Sequence, residues 1–181
     1  MDRHSCRVLL IAAVGVMLSV AVVAQAPESF AEPLDADVNF AAKLQGKNEV
    51  PALASFARGT FTAVLAADLS EISWTLEYEG VEDVAQAHIH LGQAGVNGGI
   101  MLFLCSNLGN GPAGTQACPA GSGTLSGTST GVDIVGPGAQ GVAAGNFFLF
   151  QRGLRQGVAY ANVHSTTFPG GEIRGQLRVV P

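Results

Sequence analysis

Ile72-Ser73-Trp74-Thr75-Leu76-Glu77-Tyr78-Glu79 is the stretch on which the fold turns. Large apolar residues take every even position and polar residues every odd one. Side chains alternate between faces along an extended chain. The segment therefore buries Ile72, Trp74, Leu76 and Tyr78 and turns Ser73, Thr75, Glu77 and Glu79 to solvent. Trp74 and Tyr78 read as core residues, not as a binding platform. Residues 59–66 repeat the pattern, with Phe61, Ala63 and Leu65 on one face. Asp68-Leu69-Ser70 supplies turn chemistry between the two, so they read as a hairpin.

The same logic extends outward. Val38, Phe40 and Ala42 alternate with Asn39, Ala41 and Lys43, which predicts a half-buried strand. Residues 46–51 read as a turn or edge segment, because Pro51 has no ladder hydrogen to donate. Residues 84–91 predict a strand ending at Gly92. The apolar run 100–104 predicts a short strand buried on both faces. Residues 122–135 are rich in Gly, Ser and Thr and alternate only weakly. Phe147, Phe148, Phe150 and Leu154 are spaced as on a helix, bracketed by Gly145 and Gly157. They predict one short helix near 146–156, although Gly153 inside it works against helix propensity. The chain ends as a hairpin, with strands over 158–164 and 171–179 and a loop over 165–170. Many short strands, Gly-rich turns and one helix define an all-β fold, an antiparallel β-sandwich or flattened barrel. The Gly-rich run 92–98 precedes a strand rather than a helix, so it fails as a phosphate-binding loop.

The N-terminus carries a different signal. Arg3 and Arg7 precede an apolar run from Val8 to Ala24, which closes on small residues. This is the pattern of a secretory signal peptide over 1–24, cleaved after Ala24 or Ala26. The competing reading is an uncleaved membrane anchor, for which the run is at the short end of the ~17–25 residues required. A polar linker over 25–36 and one domain over 37–181 would follow. Residues 1–24 carry a net charge of +1 from Asp2, Arg3 and Arg7. The remainder is therefore one unit more negative than the −5 of the whole chain. A mildly acidic, Gly-rich domain has no basic patch for nucleic acid and, once cleaved, no membrane segment. Secretion or a periplasmic location follows, with an extracytoplasmic partner of unknown identity. Cys105 and Cys118 are the cysteines left after cleavage, and an even pair in an exported chain predicts a disulfide. Their spacing is not that of a redox Cys-x-x-Cys motif.

The candidate chemistry rests on histidine. Beyond residue 24 the chain has three, His88, His90 and His164. They lie in Ala87-His88-Ile89-His90-Leu91-Gly92 and Asn162-Val163-His164. His88 and His90, one residue apart on a strand, share a face. With His164 alongside they form either a metal site for one zinc or copper ion or a polar packing feature. Glu172 and Arg174 share a face of the last strand. If the terminal hairpin pairs, Glu172 falls near His164, as a fourth ligand or as the acceptor that fixes its tautomer. The alternative is a Glu172–Arg174 pair that stabilises the hairpin, and for Arg174 that reading is preferred. Glu49 is a further carboxylate with no spacing to place it. No Gly-x-Ser-x-Gly elbow accompanies Ser165, and no carboxylate pair suits a glycosidase.

Four blocks together resemble the CHRD domain, the family named after chordin. They are Glu49-Val50-Pro51, Ala87-His88-Ile89-His90-Leu91-Gly92, Tyr160-Ala161-Asn162-Val163-His164, and Phe168-Pro169-Gly170-Gly171-Glu172-Ile173-Arg174-Gly175-Gln176-Leu177. The resemblance runs from about Val38 to Val179. It implies an extracytoplasmic β-barrel or sandwich of the immunoglobulin or superoxide-dismutase kind. It brings no settled activity, because stand-alone members have none. Three histidines cannot furnish both the copper and the zinc site of a dismutase, which argues against that activity. Three readings remain. The first is a non-catalytic binding module with one metal on His88, His90, His164 and Glu172. The second is a structural or protein-interaction domain without metal, and the third a mononuclear redox metalloenzyme.

Overall fold

The computed structural model describes residues 34–181, so the signal-peptide segment 1–24 and linker residues 25–33 lie outside the described residues. Among the described residues the chain forms nine strands and one α-helix. The strands are β1 (Val38–Gln45), β2 (Arg58–Leu65), β3 (Ile72–Val81), β4 (Val84–Leu91), β5 (Ile100–Ser106) and β6 (Gly121–Ser129). Helix α1 (Phe147–Arg155) follows, then β7 (Ala159–Ser165), β8 (Ile173–Gln176) and β9 (Arg178–Val180). They join one antiparallel sheet in the order β5-β4-β7-β8-β1-β2-β3-β6, with β9 paired to β1. The sheet curls into a flattened, nearly closed barrel, as the strand patterning implies.

The β2–β3 hairpin sets the core. Its register places Phe61 opposite Leu76 and Ala63 opposite Trp74. Phe40 and Leu44 of β1 join Phe61, Leu65, Ile72 and Leu76 in the fully buried interior. Trp74 and Tyr78 are core residues, and each satisfies its polar tip. The Trp74 indole donates to Ser129 Oγ at 3.0 Å, and the Tyr78 hydroxyl to the Pro119 carbonyl at 2.5 Å. The weak pattern of β6 has a packing cause. A Cβ on Gly127 would come within 2.7 Å of the Trp74 ring, so glycine makes room for the indole.

Two expectations are adjusted. The weakly alternating stretch 122–135 is a strand only as far as Ser129, because a 3-10 turn, Gly131–Asp133, follows. The strand expected over 171–179 divides at Leu177: β8 pairs with β7, then β9 pairs with β1. Of the turn or edge reading of residues 46–51, the turn is what forms. These residues begin with a 3-10 turn, Gly46–Asn48, and lead into the buried Glu49.

The two edge strands, β5 and β6, leave a seam. A single bridge between Leu102 and Ile134 spans part of it. The predicted disulfide between Cys105 and Cys118 is formed, and its loop lies over this seam. Ser106 N–H donates to the Gln116 carbonyl, and the Gln116 amide donates to the Ser126 carbonyl. Helix α1 falls where the sequence predicts it, with the Asn146 side chain capping its N-terminus. Gly153 has a reason to be in a helix. A Cβ there would stand 3.1 Å from Leu91 Cδ1, so its absence lets the helix settle on the strand end.

The wall formed by β4, β7 and β8 is unlike the rest. Ala87, Ile89, Ala161, Val163 and Ile173 face the core. The opposite face carries His88, His90, Tyr160, Asn162, His164 and Arg174, and all six are buried. Register confirms the shared face, pairing His90 with Tyr160, His88 with Asn162 and Asn162 with Arg174. This outer face is roofed by the loops that contain Glu49, Gly98 and Pro169.

Candidate metal centre

His88 and His90 project from β4 to one face, as period two requires. His164 reaches the same face from β7, two positions along from Asn162. Their donor nitrogens all lie within 4.8 Å of one another, the one group of this kind among the described residues. His88 Nδ1 stands 3.2 Å from His164 Nε2. Two nitrogens on one tetrahedral ion with bonds of ~2.0–2.1 Å stand about 3.3 Å apart. That pair has the spacing of two ligands once the His88 proton sits on Nε2 in place of Nδ1. Drawing in the third asks for ring movement on the order of 1 Å.

Hydrogen bonds assign the ring protons. His90 Nδ1 lies 3.0 Å from the Gly98 carbonyl, and His164 Nδ1 lies 3.0 Å from the Pro169 carbonyl. A carbonyl can only accept, so both rings carry their proton on Nδ1 and keep a lone pair on Nε2. His164 Nε2 must then accept from His88 Nδ1–H. That leaves His88 Nε2 and His90 Nε2 as buried lone pairs without a hydrogen-bond partner. Leaving a buried acceptor unpaired costs about 1–3 kcal/mol. His90 pairs a backbone carbonyl on Nδ1 with an unpartnered Nε2, the arrangement of metal-binding imidazoles.

The surroundings favour neutral rings. Burial pushes the His88 imidazole from its ordinary 6.5 down to about 2, and the neighbouring His164 and His90 add to this. Burial and His164 lower His90 to about 4, with the Gly98 carbonyl opposing and the Arg174 charge assisting. His164 is lowered by burial against the pull of the Pro169 carbonyl. Neutral imidazole is the form that binds a metal. The Phe103 and His88 rings meet edge to face with centroids 4.4 Å apart, and His90 stacks flat on Tyr160 with centroids 4.9 Å apart.

The other predicted residues are placed as follows. Glu172 is buried, but its carboxylate accepts from Ser55 Oγ at 2.9 Å and is not part of the donor group. The acceptor role expected of it on His164 belongs to the Pro169 carbonyl. Backbone geometry explains the difference. Strand pairing ends at Val163–Ile173, one step before His164 and Glu172 would face each other. Arg174 makes no ion pair with Glu172. Its guanidinium lies 3.4 Å over the Tyr160 ring and donates to Asn97 Oδ1 and to the Gln93 and Val96 carbonyls. Glu49 does enter this face. It accepts from Asn162 Nδ2 at 2.7 Å, and burial pushes its carboxyl up to about 7 against the pull of Asn162 and Arg174.

Sequence reasoning passed over Tyr160, Asn162 and Phe103. A signal was available for the first two, because Tyr160, Asn162 and His164 follow period two on one strand. The Tyr160 hydroxyl accepts from the Gly98 N–H, so it steadies the residue whose carbonyl orients His90. Asn162 also donates to the Ile173 carbonyl and joins Glu49 to β8.

Fold and site together define a class: a disulfide-linked β-barrel domain with a buried histidine triad on the outer face of one wall. The CHRD domain family profile matches residues 40–177, and the chain belongs to that family. No curated protein and no solved structure matches it.

Proposed function

We propose that this protein is an exported binding module that holds one zinc or copper ion on His88, His90 and His164 and performs no catalysis of its own. The observation that carries this reading is the group of three buried imidazoles whose donor nitrogens lie within 4.8 Å of one another, with Nδ1 of His90 and of His164 held by backbone carbonyls. An ion there would take His88 through Nδ1, with the ring proton moved to Nε2, in place of the His88–His164 hydrogen bond. Glu172 is left out of the ligand set, since Ser55 engages it. Export is supported by the signal-peptide pattern of 1–24 and by the disulfide. Among the described residues no helix is long and apolar enough to cross a membrane. The metal-bearing wall would then serve recognition of an extracytoplasmic partner.

The test is thermal denaturation of chelator-stripped protein with and without added zinc or copper. A ligand at 100 times its Kd adds about 2.7 kcal/mol. For a domain of this size that raises Tm by roughly 5–10 °C. The gain should saturate at one ion per chain and vanish in His90→Gln. No shift with either metal overturns the proposal. A second reading, packing alone, is favoured by the His88–His164 hydrogen bond and the His90–Tyr160 stack. It predicts that His164→Gln loses the same stability with and without chelator.

A further inference from the structure

We infer that the triad is a three-coordinate, all-imidazole site selective for cuprous copper over zinc. This deepens the reading above and rests on it. The donor set holds three imidazole nitrogens and no anionic group among the described residues. The two buried carboxylates of this face are engaged elsewhere, Glu49 by Asn162 and Glu172 by Ser55. Both sulfurs of Cys105 and Cys118 are in the disulfide.

Zinc bound by protein almost always has four ligands, so this set would leave it one short. Water would have to fill the gap. Yet His88, His90 and His164 are 0%, 7% and 5% exposed, with the Phe103 ring packed against one imidazole and the Tyr160 face against another. A bound water needs room and polar partners of its own. Cuprous copper is satisfied by three nitrogens and asks for neither.

Charge points the same way. The cost of placing an ion in a low-dielectric interior grows with the square of its charge, so a dication is penalised about fourfold more than a monocation. Neutral imidazoles offer no countercharge. The Arg174 guanidinium, stacked on the ring that His90 stacks on, adds a repulsion that doubles for a dication. Imidazole itself suits both zinc and copper, so coordination number and charge decide.

The experiment titrates purified, metal-free protein anaerobically with Cu(I) in competition with bicinchoninate, and in parallel with Zn(II) in competition with a chromophoric chelator. One Cu(I) per chain is expected, with zinc weaker by at least about 100-fold. X-ray absorption of the Cu(I) form should show three nitrogen neighbours and no oxygen. His90→Gln and His88→Gln, each checked for folding by circular dichroism, should release the copper. Zinc binding as tight as Cu(I), or a four-coordinate Cu(I) shell, overturns this inference and leaves the metal-site proposal standing. Copper retained by both folded variants overturns it as well. Failure of both metals to bind removes both proposals.

Discussion

Acidification should destabilise the metal-free protein, and the triad sets how far. Between pH 7 and 4.5 the unfolded chain protonates its histidines below their ordinary 6.5. His88, held near 2, and His90, held near 4, stay largely neutral in the fold. The unfolded state therefore binds more protons, and stability falls as pH falls. Each pH unit below 6.5 costs about 1.4 kcal/mol per histidine, so by pH 4.5 these two cost about 5 kcal/mol together. His164, also lowered, acts in the same direction. Glu49 opposes them. Its carboxyl is raised from 4.5 to about 7, so the fold takes up a proton that the unfolded chain does not, and stability rises as pH falls through that window. That offset is about 3 kcal/mol, which leaves a net loss of about 2 kcal/mol before His164 is counted. At roughly 2–4 °C per kcal/mol, Tm should drop by about 4–8 °C or more. Glu49→Gln keeps the hydrogen bond from Asn162 but cannot titrate. It should be more stable than the parent at pH 8 and lose stability more steeply toward pH 4.5. Scanning fluorimetry in chelator at both pH values decides the matter. A flat parent Tm, or a shallower acid loss in Glu49→Gln, would refute the reasoning.

Three further outcomes follow from the packing. Arg174→Lys removes a planar, buried guanidinium from the Tyr160 face and from two loop carbonyls. It should cost about 2–4 kcal/mol in urea unfolding and open the 92–98 loop to protease. Replacing both Cys105 and Cys118 by Ala frees the loop over the β5–β6 seam and should lower stability by about 3 kcal/mol, as should reductant acting on the parent. Gly171→Ala places a Cβ 2.6 Å from Asn162 Nδ2 and 2.8 Å from Glu49 Oε1, at a residue with φ of +125°. A denaturation midpoint lowered by about 1–3 kcal/mol is expected.

The barrel is legible in the sequence wherever one face meets solvent. β1, β2 and β3 show period two because their outer faces are wet, and their bounds follow from the pattern. β7 is buried along its whole length, so its alternation is between apolar and polar residues that are both inside. There the pattern still reports faces, with Ala159, Ala161 and Val163 against Tyr160, Asn162 and His164, but it no longer reports exposure. The pairing of His88, His90 and His164 was legible for this reason. The fate of Glu172 was not, because it depends on where the β7–β8 ladder ends and on Ser55, more than a hundred residues away in the chain. Arg174 misled for a similar reason. A neighbouring acid suggests an ion pair, while the guanidinium's partners are carbonyls of a distant loop.

The strands place the imidazoles, but the roof chooses their tautomers. His90 takes its proton position from Gly98 and His164 from Pro169, and both carbonyls belong to loops. A histidine on a bare strand face would sample either tautomer and either ring flip. Here the loop of Gly98 is fastened by the Tyr160 hydroxyl and, a few residues earlier, by Arg174. Those two anchors come from β7, the strand that carries His164, and from its neighbour β8. Donor geometry is therefore coupled to loop closure through residues that donate nothing to an ion themselves. In such an arrangement any cation gained by the triad also holds the roof shut, and whatever loosens the roof weakens the cation's hold by the same free energy.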